Sequence, residues 1–226
     1  MQILVDAGIV LASYVFGSVP FGLIVVKLLT GKDIRMVESG RTGGTNALRA
    51  AGWVAGLLTG ILDILKATAT VWLAQAITAN EWMHVLAPIA AILGHNYSLF
   101  MAERDERGRW RLRGGAGGAP SFGGALGLWA PSALIILPIA ALIYYFIGYA
   151  SVTTLSVALM ATLIFAVRAI FFQSPWEYVI YGVLSEILLV WALLPNIKRL
   201  MDGTERLHGW RAKRQPKEQV NGSDRG

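Results

Sequence analysis

Long apolar runs limit this chain more than any other feature, because they are hard to reconcile with a water-soluble fold. About 20 apolar residues in a helix cross the hydrocarbon core of a bilayer. Charged residues make up only 15% of the sequence, whereas soluble domains carry about 25%. We therefore predict an all-α integral membrane protein. Its apolar runs lie at 3–29, 53–77, 83–100, 121–147, 152–172 and 178–194.

Basic residues indicate how the chain is oriented. They concentrate in the segments 31–52 and 102–118 and in a tail at 201–226. Lys and Arg are enriched in cytoplasmic loops, so all three segments are expected in the cytoplasm. Because the second loop and the tail are both expected in the cytoplasm, the chain must cross the membrane an even number of times between them. Only three apolar runs remain there, which is an odd number. We therefore expect 119–147 to divide near Pro131 into two short spans. This gives a bundle of about seven transmembrane helices, with the N-terminus outside and the C-terminus cytoplasmic; a single tilted span with a re-entrant partner is the alternative.

The expected organisation is one transmembrane domain, 1–200, followed by the basic tail, whose polar end should be disordered. The first run lacks the basic start and the cleavage site of a signal peptide, so it is expected to stay as a span. The net charge of +6 suits anionic headgroups or phosphates and not nucleic acid. The chain has no Cys, which excludes disulfides and thiolate chemistry.

The segment 38–49 is the strongest candidate for a binding site. It reads ESGRTGGTNALR and lies between two apolar runs. Glycines let successive backbone N–H groups point at one spot, and arginine grips phosphate oxygens as a fork. We predict an anion-binding loop, with a simple glycine-rich turn as the alternative. Its candidate residues are Ser39, Gly40, Arg41, Gly43, Gly44, Thr45, Asn46 and Arg49.

A second candidate loop lies between the third and fourth apolar runs. Arginines alternate with other residues around Trp110 and Leu112, which predicts a short strand or hairpin. A glycine-rich stretch follows directly and includes Gly114, Gly115 and Gly117. It is predicted to be a second phosphate cradle; a flexible loop with snorkelling arginines is the alternative.

Ionisable residues inside the apolar runs allow two interpretations. Asp63 and Lys66 lie three residues apart on one helical face. They either pair with each other and hold helices together or reach into a polar site. His95 is either a base or phosphate contact, or a hydrogen-bonded structural residue. The segment 17–22, with glycines and Pro20, either kinks a helix or allows close packing.

No cofactor or metal is predicted from the sequence. The histidines lack ligand spacing with acidic residues, and the nucleophile-elbow and nucleotide-loop motifs are missing. The His-x4-Asp signature of many acyltransferases is also missing. Glycine loops and arginines facing the cytoplasm suit a phosphorylated cytosolic ligand, and the membrane setting favours a lipid co-substrate.

The sequence resembles the acyl-phosphate-dependent glycerol-3-phosphate acyltransferases of bacteria, the PlsY type, from about residue 14 to 205. The resemblance implies a seven-span protein of the bacterial cell membrane. It implies transfer of an acyl group from acyl phosphate to the 1-hydroxyl of glycerol-3-phosphate, the first step of phospholipid synthesis. The motifs that carry it include Gly17–Gly22, Asp33–Arg35, Ser39–Gly40, Thr45–Asn46, Asp63–Lys66, Gly94–His95, Gly114–Gly115, Tyr149–Ser151, Asn196–Leu200 and Gly203–Glu205.

The resemblance also implies roles for single residues. Ser39 and Arg49 match the essential serine and arginine of the family's first cytoplasmic loop. Ser151 and Asn196 match polar residues of the same pocket, and Glu205 matches a carboxylate that braces the tail against the loops. The oligomeric state stays open. Supporting roles are expected of Lys66, His95, Arg111, Arg113 and Glu205.

This sequence departs from the family pattern at several positions. Ala116 stands where the family has a lysine, Leu193 where it has a histidine, and Arg41 where it has an asparagine. Arg41, or one of Arg111 and Arg113, is a candidate to replace the lost charge. An active acyltransferase is therefore one interpretation. A paralogue that only binds a phosphorylated metabolite or headgroup, and a small transporter, are the others.

Overall fold

A computed structural model describes residues 1–214 as a helical bundle with one small hairpin. The expected disordered end of the tail, at 215–226, lies outside the described residues. The helices are α1 Gln2–Gly17, α2 Phe21–Thr30, α3 Gly44–Ile77, α4 Glu81–Asn96, α5 Gly118–Leu128, α6 Ser132–Phe146, α7 Ala150–Phe172, α8 Glu177–Met201 and α9 Gly209–Arg214. The hairpin pairs β1 Ala102–Arg104 antiparallel with β2 Trp110–Leu112.

The first apolar run is broken into α1 and α2. Pro20 has no N–H to donate, so the helix stops at Gly17 and resumes at Phe21. Gly17 lies against the backbone of Ala91 on α4, where a side chain would overlap it. The segment 17–22 therefore both interrupts a helix and allows another helix to approach closely.

Helix α3 begins earlier than the apolar pattern indicated. We expected 38–49 to be a loop and the helix to start near residue 53, but the helix starts at Gly44. Thr45, Asn46 and Arg49 therefore lie on helical turns, because the ALRAA stretch favours a helix more than the preceding glycines oppose it. Gly52, with φ 84° and ψ −178°, interrupts this helix before its apolar part.

Two other expectations are confirmed. The arginine-rich segment forms the hairpin, in which Glu103 lies opposite Arg111. The run at 119–147 divides into α5 and α6, with Pro131 at the N-terminal end of α6. Proline is tolerated at the start of a helix, since the N–H it lacks has no intrahelical acceptor there.

The bundle has an apolar interior and an apolar exterior. Phe165, Tyr181 and Leu189 are fully buried, whereas Leu134 and Trp191 are 79% and 67% exposed. An outer surface with this many exposed large apolar side chains is stable in lipid and not in water. The protein is accordingly a helical membrane protein. Four helical stretches are long and apolar enough to cross a bilayer: Gln2–Thr30, Gly44–Ile77, Ala150–Phe172 and Glu177–Met201.

The remaining apolar helices are shorter, so the number of seven spans and the side of each terminus stay predictions. Helix α7 offers the sharpest test. Its 23 residues extend about 35 Å at 1.5 Å per residue, enough to cross the hydrocarbon core. Reporter fusions at Ser151 and at Gln173 should therefore give a cytoplasmic and an external signal, respectively. A cytoplasmic signal at both positions would contradict the seven-span topology.

Candidate active site

A cavity of about 640 Å³ lies where the segment before α3, the starts of α5 and α7 and the end of α8 meet. It brings together residues that are far apart in the sequence. The predicted site residues that line it are Ser39, Arg41, Gly43, Gly44, Thr45, Asn46, Arg49, His95, Gly117, Ser151, Asn196 and Glu205.

Three helices begin at this cavity. The first residues of α3, α5 and α7, which are Gly44, Gly118 and Ala150, all line it. Within residues 1–214, no side chain caps any of these three ends by a hydrogen bond. The first N–H groups of a helix have no intrahelical acceptor and carry the positive end of its dipole. Three such ends around one cavity form a site for anions.

Four arginines add positive charge to the same cavity: Arg41, Arg49, Arg199 and Arg206. Arg41 reaches from the first loop to α8, where its Nη2 donates to the carbonyl of Ala192 at 2.6 Å. Burial lowers the pKa of Arg41, and repulsion from Arg199 lowers it further. An arginine stays charged in proteins at neutral pH, so this partly desolvated cation favours an anionic ligand.

Glu205 links three elements at the edge of the cavity. The hydroxyl of Ser151 on α7 donates to its Oε2 at 2.6 Å, and Nδ2 of Asn196 on α8 donates to its Oε1 at 3.2 Å. Both carboxylate oxygens thus have partners from other helices. Glu205 fixes the segment after α8 against the start of α7.

The first loop divides into exposed and structural side chains. Ser39 and Thr45 are exposed and line the cavity, and Oγ of Ser39 accepts from the backbone N–H of Arg41 at 3.4 Å. Asn46, which we expected to bind phosphate, is buried instead, and its Nδ2 donates to the carbonyls of Val37 at 3.0 Å and Arg41 at 2.8 Å. Because these amide protons are already used, Asn46 shapes the loop.

Three predicted glycines lie beside the cavity and not in it. Gly40, Gly114 and Gly115 line an adjoining cavity of about 400 Å³ that also reaches Ser39 and Arg41. The N–H of Gly115 donates to the carbonyl of His95 at 2.9 Å, so it is not available to a ligand. A side chain at Gly114 would collide with the end of α4. These two glycines allow close packing of the loop on α4. A glycine-rich sequence alone does not show whether its glycines allow close packing or bind phosphate.

Arg111 and Arg113 do not line this cavity, so neither supplies the charge that the resemblance led us to expect at position 116; Arg113 lines the adjoining cavity. Arg113 pairs with Glu103 at 2.5 Å, and Arg111 lies 3.6 Å from Asp105, both within the hairpin. Ala116 and Leu193 do line the cavity. Among the candidates for that role, Arg41 is the one with a place in the cavity lining.

Asp63, Lys66 and His95 form a buried cluster below the cavity. Nζ of Lys66 lies 2.7 Å from Oδ1 of Asp63 and 3.0 Å from Nδ1 of His95, and donates to the carbonyl of Val19 at 3.1 Å. Asp63 and His95 also line the cavity, whereas Lys66 does not. Asp63 and Lys66 therefore pair with each other, as the first interpretation held, and Asp63 also reaches the polar cavity, as the second held. His95 is hydrogen-bonded within the cluster and also lines the cavity, so both of its interpretations stay open.

Four cavity residues with ionisable side chains were absent from the sequence-based candidates: Glu38, Arg199, Arg206 and His208. Nη1 of Arg206 lies 3.1 Å from Oε1 of Glu38, and Nε2 of His208 lies 3.1 Å from Nη2 of Arg49. Each of these contacts joins residues more than 150 positions apart in the chain. The basic composition of the tail is the available signal, and it indicates orientation and contact with anionic groups without singling out any of these residues.

Fold and cavity together define a helical membrane protein with a cavity that is lined by arginines and the starts of helices. A family described as "Glycerol-3-phosphate acyltransferase" matches residues 7–203. The chain belongs to this family.

Similar proteins and solved structures support the same family membership. A glycerol-3-phosphate acyltransferase of Thermus thermophilus is 37% identical and covers 89% of this chain and 94% of its own. One from Rubrobacter xylanophilus is 34% identical, with 90% and 96% covered. The crystal structure of PlsY (YgiH), an integral membrane glycerol 3-phosphate acyltransferase in its glycerol 3-phosphate form, is 27% identical with a TM-score of 0.77, and 90% and 96% of the two chains are covered.

Proposed function

We propose that this protein transfers an acyl group from acyl phosphate to the 1-hydroxyl of sn-glycerol-3-phosphate and releases lysophosphatidic acid and inorganic phosphate. One observation carries the proposal. Three uncapped helix starts and four arginines surround one cavity. Both substrates carry a phosphate, and an array of this kind can hold two phosphates close together.

The proposed reaction needs no separate protein base. The hydroxyl oxygen of glycerol-3-phosphate bonds to the acyl carbon, the bond from that carbon to the phosphate oxygen breaks, and the proton moves to a phosphate oxygen. The carboxylates that line the cavity are already paired: Glu38 with Arg206, Asp63 with Lys66, and Glu205 with Ser151. Arginines and helix N–H groups would stabilise the developing charge.

Ser39 and Arg49 are proposed as the catalytic residues. Ser39 is exposed and lines the cavity, where its hydroxyl would hydrogen-bond a substrate, and Arg49 lies on the second turn of α3. Substrate contacts are proposed for the starts of α3 and α5 and for Arg41 and Ser151. The cavity is proposed to face the cytoplasm of a bacterial cell, where glycerol-3-phosphate is available.

A second candidate function is supported by Ala116. It lies in the cavity lining at the position where the family has a lysine, and its methyl group brings no charge. A cavity that retained its anion site but had lost this contact could bind glycerol-3-phosphate or a lipid headgroup without transferring an acyl group.

The deciding assay supplies purified protein in detergent with palmitoyl phosphate and labelled glycerol-3-phosphate. We expect labelled lysophosphatidic acid from wild-type protein and a loss of about 10²-fold or more in Ser39→Ala, the size expected when a transition-state hydrogen bond is removed. Palmitoyl-coenzyme A in place of palmitoyl phosphate should give no product. An inactive wild type in which Ala116→Lys restored product would instead support the binding-only function.

A further inference from the structure

The segment after α8 folds back over the cavity. Residues 202–208 connect α8 to α9, and four of the last five of them line the cavity. Beyond them α9 packs on α6, where Arg211 donates to the carbonyl of Ile147 at 3.2 Å. The family match ends at residue 203, so this connecting segment contributes to the site from outside the matched range.

His208 is held in this segment by three contacts. Its ring stacks on Tyr144 of α6 with centroids 5.3 Å apart, and its backbone N–H donates to the carbonyl of Gly148 at 2.7 Å. The third contact joins its Nε2 to Nη2 of Arg49 at 3.1 Å. A guanidinium has donors only, so Nε2 must be the acceptor. The imidazole is therefore neutral in this arrangement, with its proton on Nδ1.

We propose that His208 is a positioning residue for Arg49: its neutral imidazole holds the guanidinium at the cavity where the substrate phosphates would lie. The role of Arg49 in holding substrate phosphate rests on the proposed function, whereas the contact between His208 and Arg49 does not depend on it. A free arginine side chain samples many rotamers, and ordering it on binding costs affinity. An acceptor that orders it beforehand reduces that cost.

The groups that face His208 make this arrangement sensitive to pH. They are Arg49 from α3, Arg206 and Glu205 from the connecting segment, and Tyr144 from α6. Burial lowers the pKa of His208, repulsion from Arg49 and Arg206 lowers it further, and Glu205 acts in the opposite direction. The neutral acceptor is thus fully present above the ordinary histidine value of about 6.5. It is lost as the pH falls through the lowered pKa, because a protonated ring repels Arg49.

Three substitutions separate the roles of the ring. His208→Gln keeps an acceptor that does not titrate, His208→Lys imitates the protonated ring, and His208→Ala removes the contact. At pH 8 we expect His208→Gln to stay within about 3-fold of wild-type kcat/KM. The other two should fall by about 10-fold or more, because a misplaced contact group is costly in the transition state.

The pH profile gives the readout that a merely structural role would not move. Substrate phosphates also titrate near pH 6, so the informative quantity is the ratio of His208→Gln to wild-type kcat/KM between pH 8.5 and 5.5. This ratio should stay constant above about pH 6.5 and rise as the pH falls through the lowered pKa of His208. His84→Gln is the matched control, because His84 on α4 contacts the carbonyl of Thr78 and does not line the cavity; its ratio should stay flat.

Calorimetry with glycerol-3-phosphate over the same pH range separates this inference from the proposed reaction. Wild-type protein that binds glycerol-3-phosphate but makes no lysophosphatidic acid would refute the reaction, and a pH-dependent affinity difference between wild type and His208→Gln would still support positioning. A flat ratio in both binding and turnover would overturn the inference. So would an His208→Ala variant with wild-type kcat/KM at pH 8. Thermal unfolding midpoints in detergent identify variants that do not fold. If His208→Ala or His208→Lys does not fold, the pH-dependent ratio of His208→Gln to wild type decides whether the inference holds.

Discussion

Replacing Arg49 with alanine is expected to lower kcat/KM for acyl transfer by about 10²–10³-fold, the loss typical when one preorganised charge-stabilising contact is removed. Arg49 lines the cavity from the second turn of α3, and the first residue of that helix lines it too. In the proposed reaction the charge of Arg49 would stabilise the negative charge that develops on the phosphate leaving group. Steady-state kinetics with palmitoyl phosphate and glycerol-3-phosphate measure the effect.

Two further variants show whether the loss is specific. Arg49→Lys keeps the charge but not the planar fork, so its activity should lie between those of wild type and Arg49→Ala. Arg107→Ala removes an exposed arginine at the hairpin, away from the cavity, and should leave turnover unchanged. Full turnover by Arg49→Ala would show that the positive charge of this residue has no part in the reaction.

Local chemistry made much of the fold predictable. Pro20 and Pro131 cannot donate a backbone hydrogen bond, and a helix ends or begins near each of them. The alternation of arginines around Trp110 indicated the hairpin because successive side chains of a strand point to opposite faces. Features of this kind depend on a few neighbouring residues, so the sequence alone reveals them.

The site was predictable only in part, because its details depend on contacts between distant segments. Asn46 looked like a ligand contact, and only the folded loop shows its amide bound to the carbonyls of Val37 and Arg41. Gly115 looked like part of a phosphate cradle, yet its N–H is used by His95. His208 carried no recognisable motif, and its relation to Arg49 exists only because the chain returns to the cavity after α8.

The cavity carries positive charge although Ala116 stands where the resemblance led us to expect a lysine. Arg41 comes from the first loop and Arg199 from the end of α8, and the two are close enough to repel each other. Neither occupies the backbone position of Ala116. Arg41 and Arg199 would therefore contact a substrate phosphate from the side of α8 more than from the start of α5. Arg41, Ala116 and Leu193 all line the cavity, and Arg41 is the one of these three that carries a charge.

Removing Asp63 alone should destabilise the protein by about 3–5 kcal/mol, the usual effect of leaving one member of a buried ion pair without its partner. Asp63 and Lys66 are both about 1% exposed and 2.7 Å apart. In Asp63→Leu the ammonium would remain inside the bundle, with the Val19 carbonyl and His95 as its remaining neighbours. Unfolding in a denaturing detergent titration, followed by circular dichroism, measures the free energy.

The double variant Asp63→Leu/Lys66→Met should recover most of that loss, because apolar side chains of similar volume replace a buried pair at little cost. Lys66→Met alone should also be destabilised, since it leaves the carboxylate unpaired. The four proteins form a double-mutant cycle that isolates the interaction between the two charges. If the losses of the two single variants simply added in the double variant, the pair would contribute no coupling. The cluster below the cavity would then owe its stability to packing.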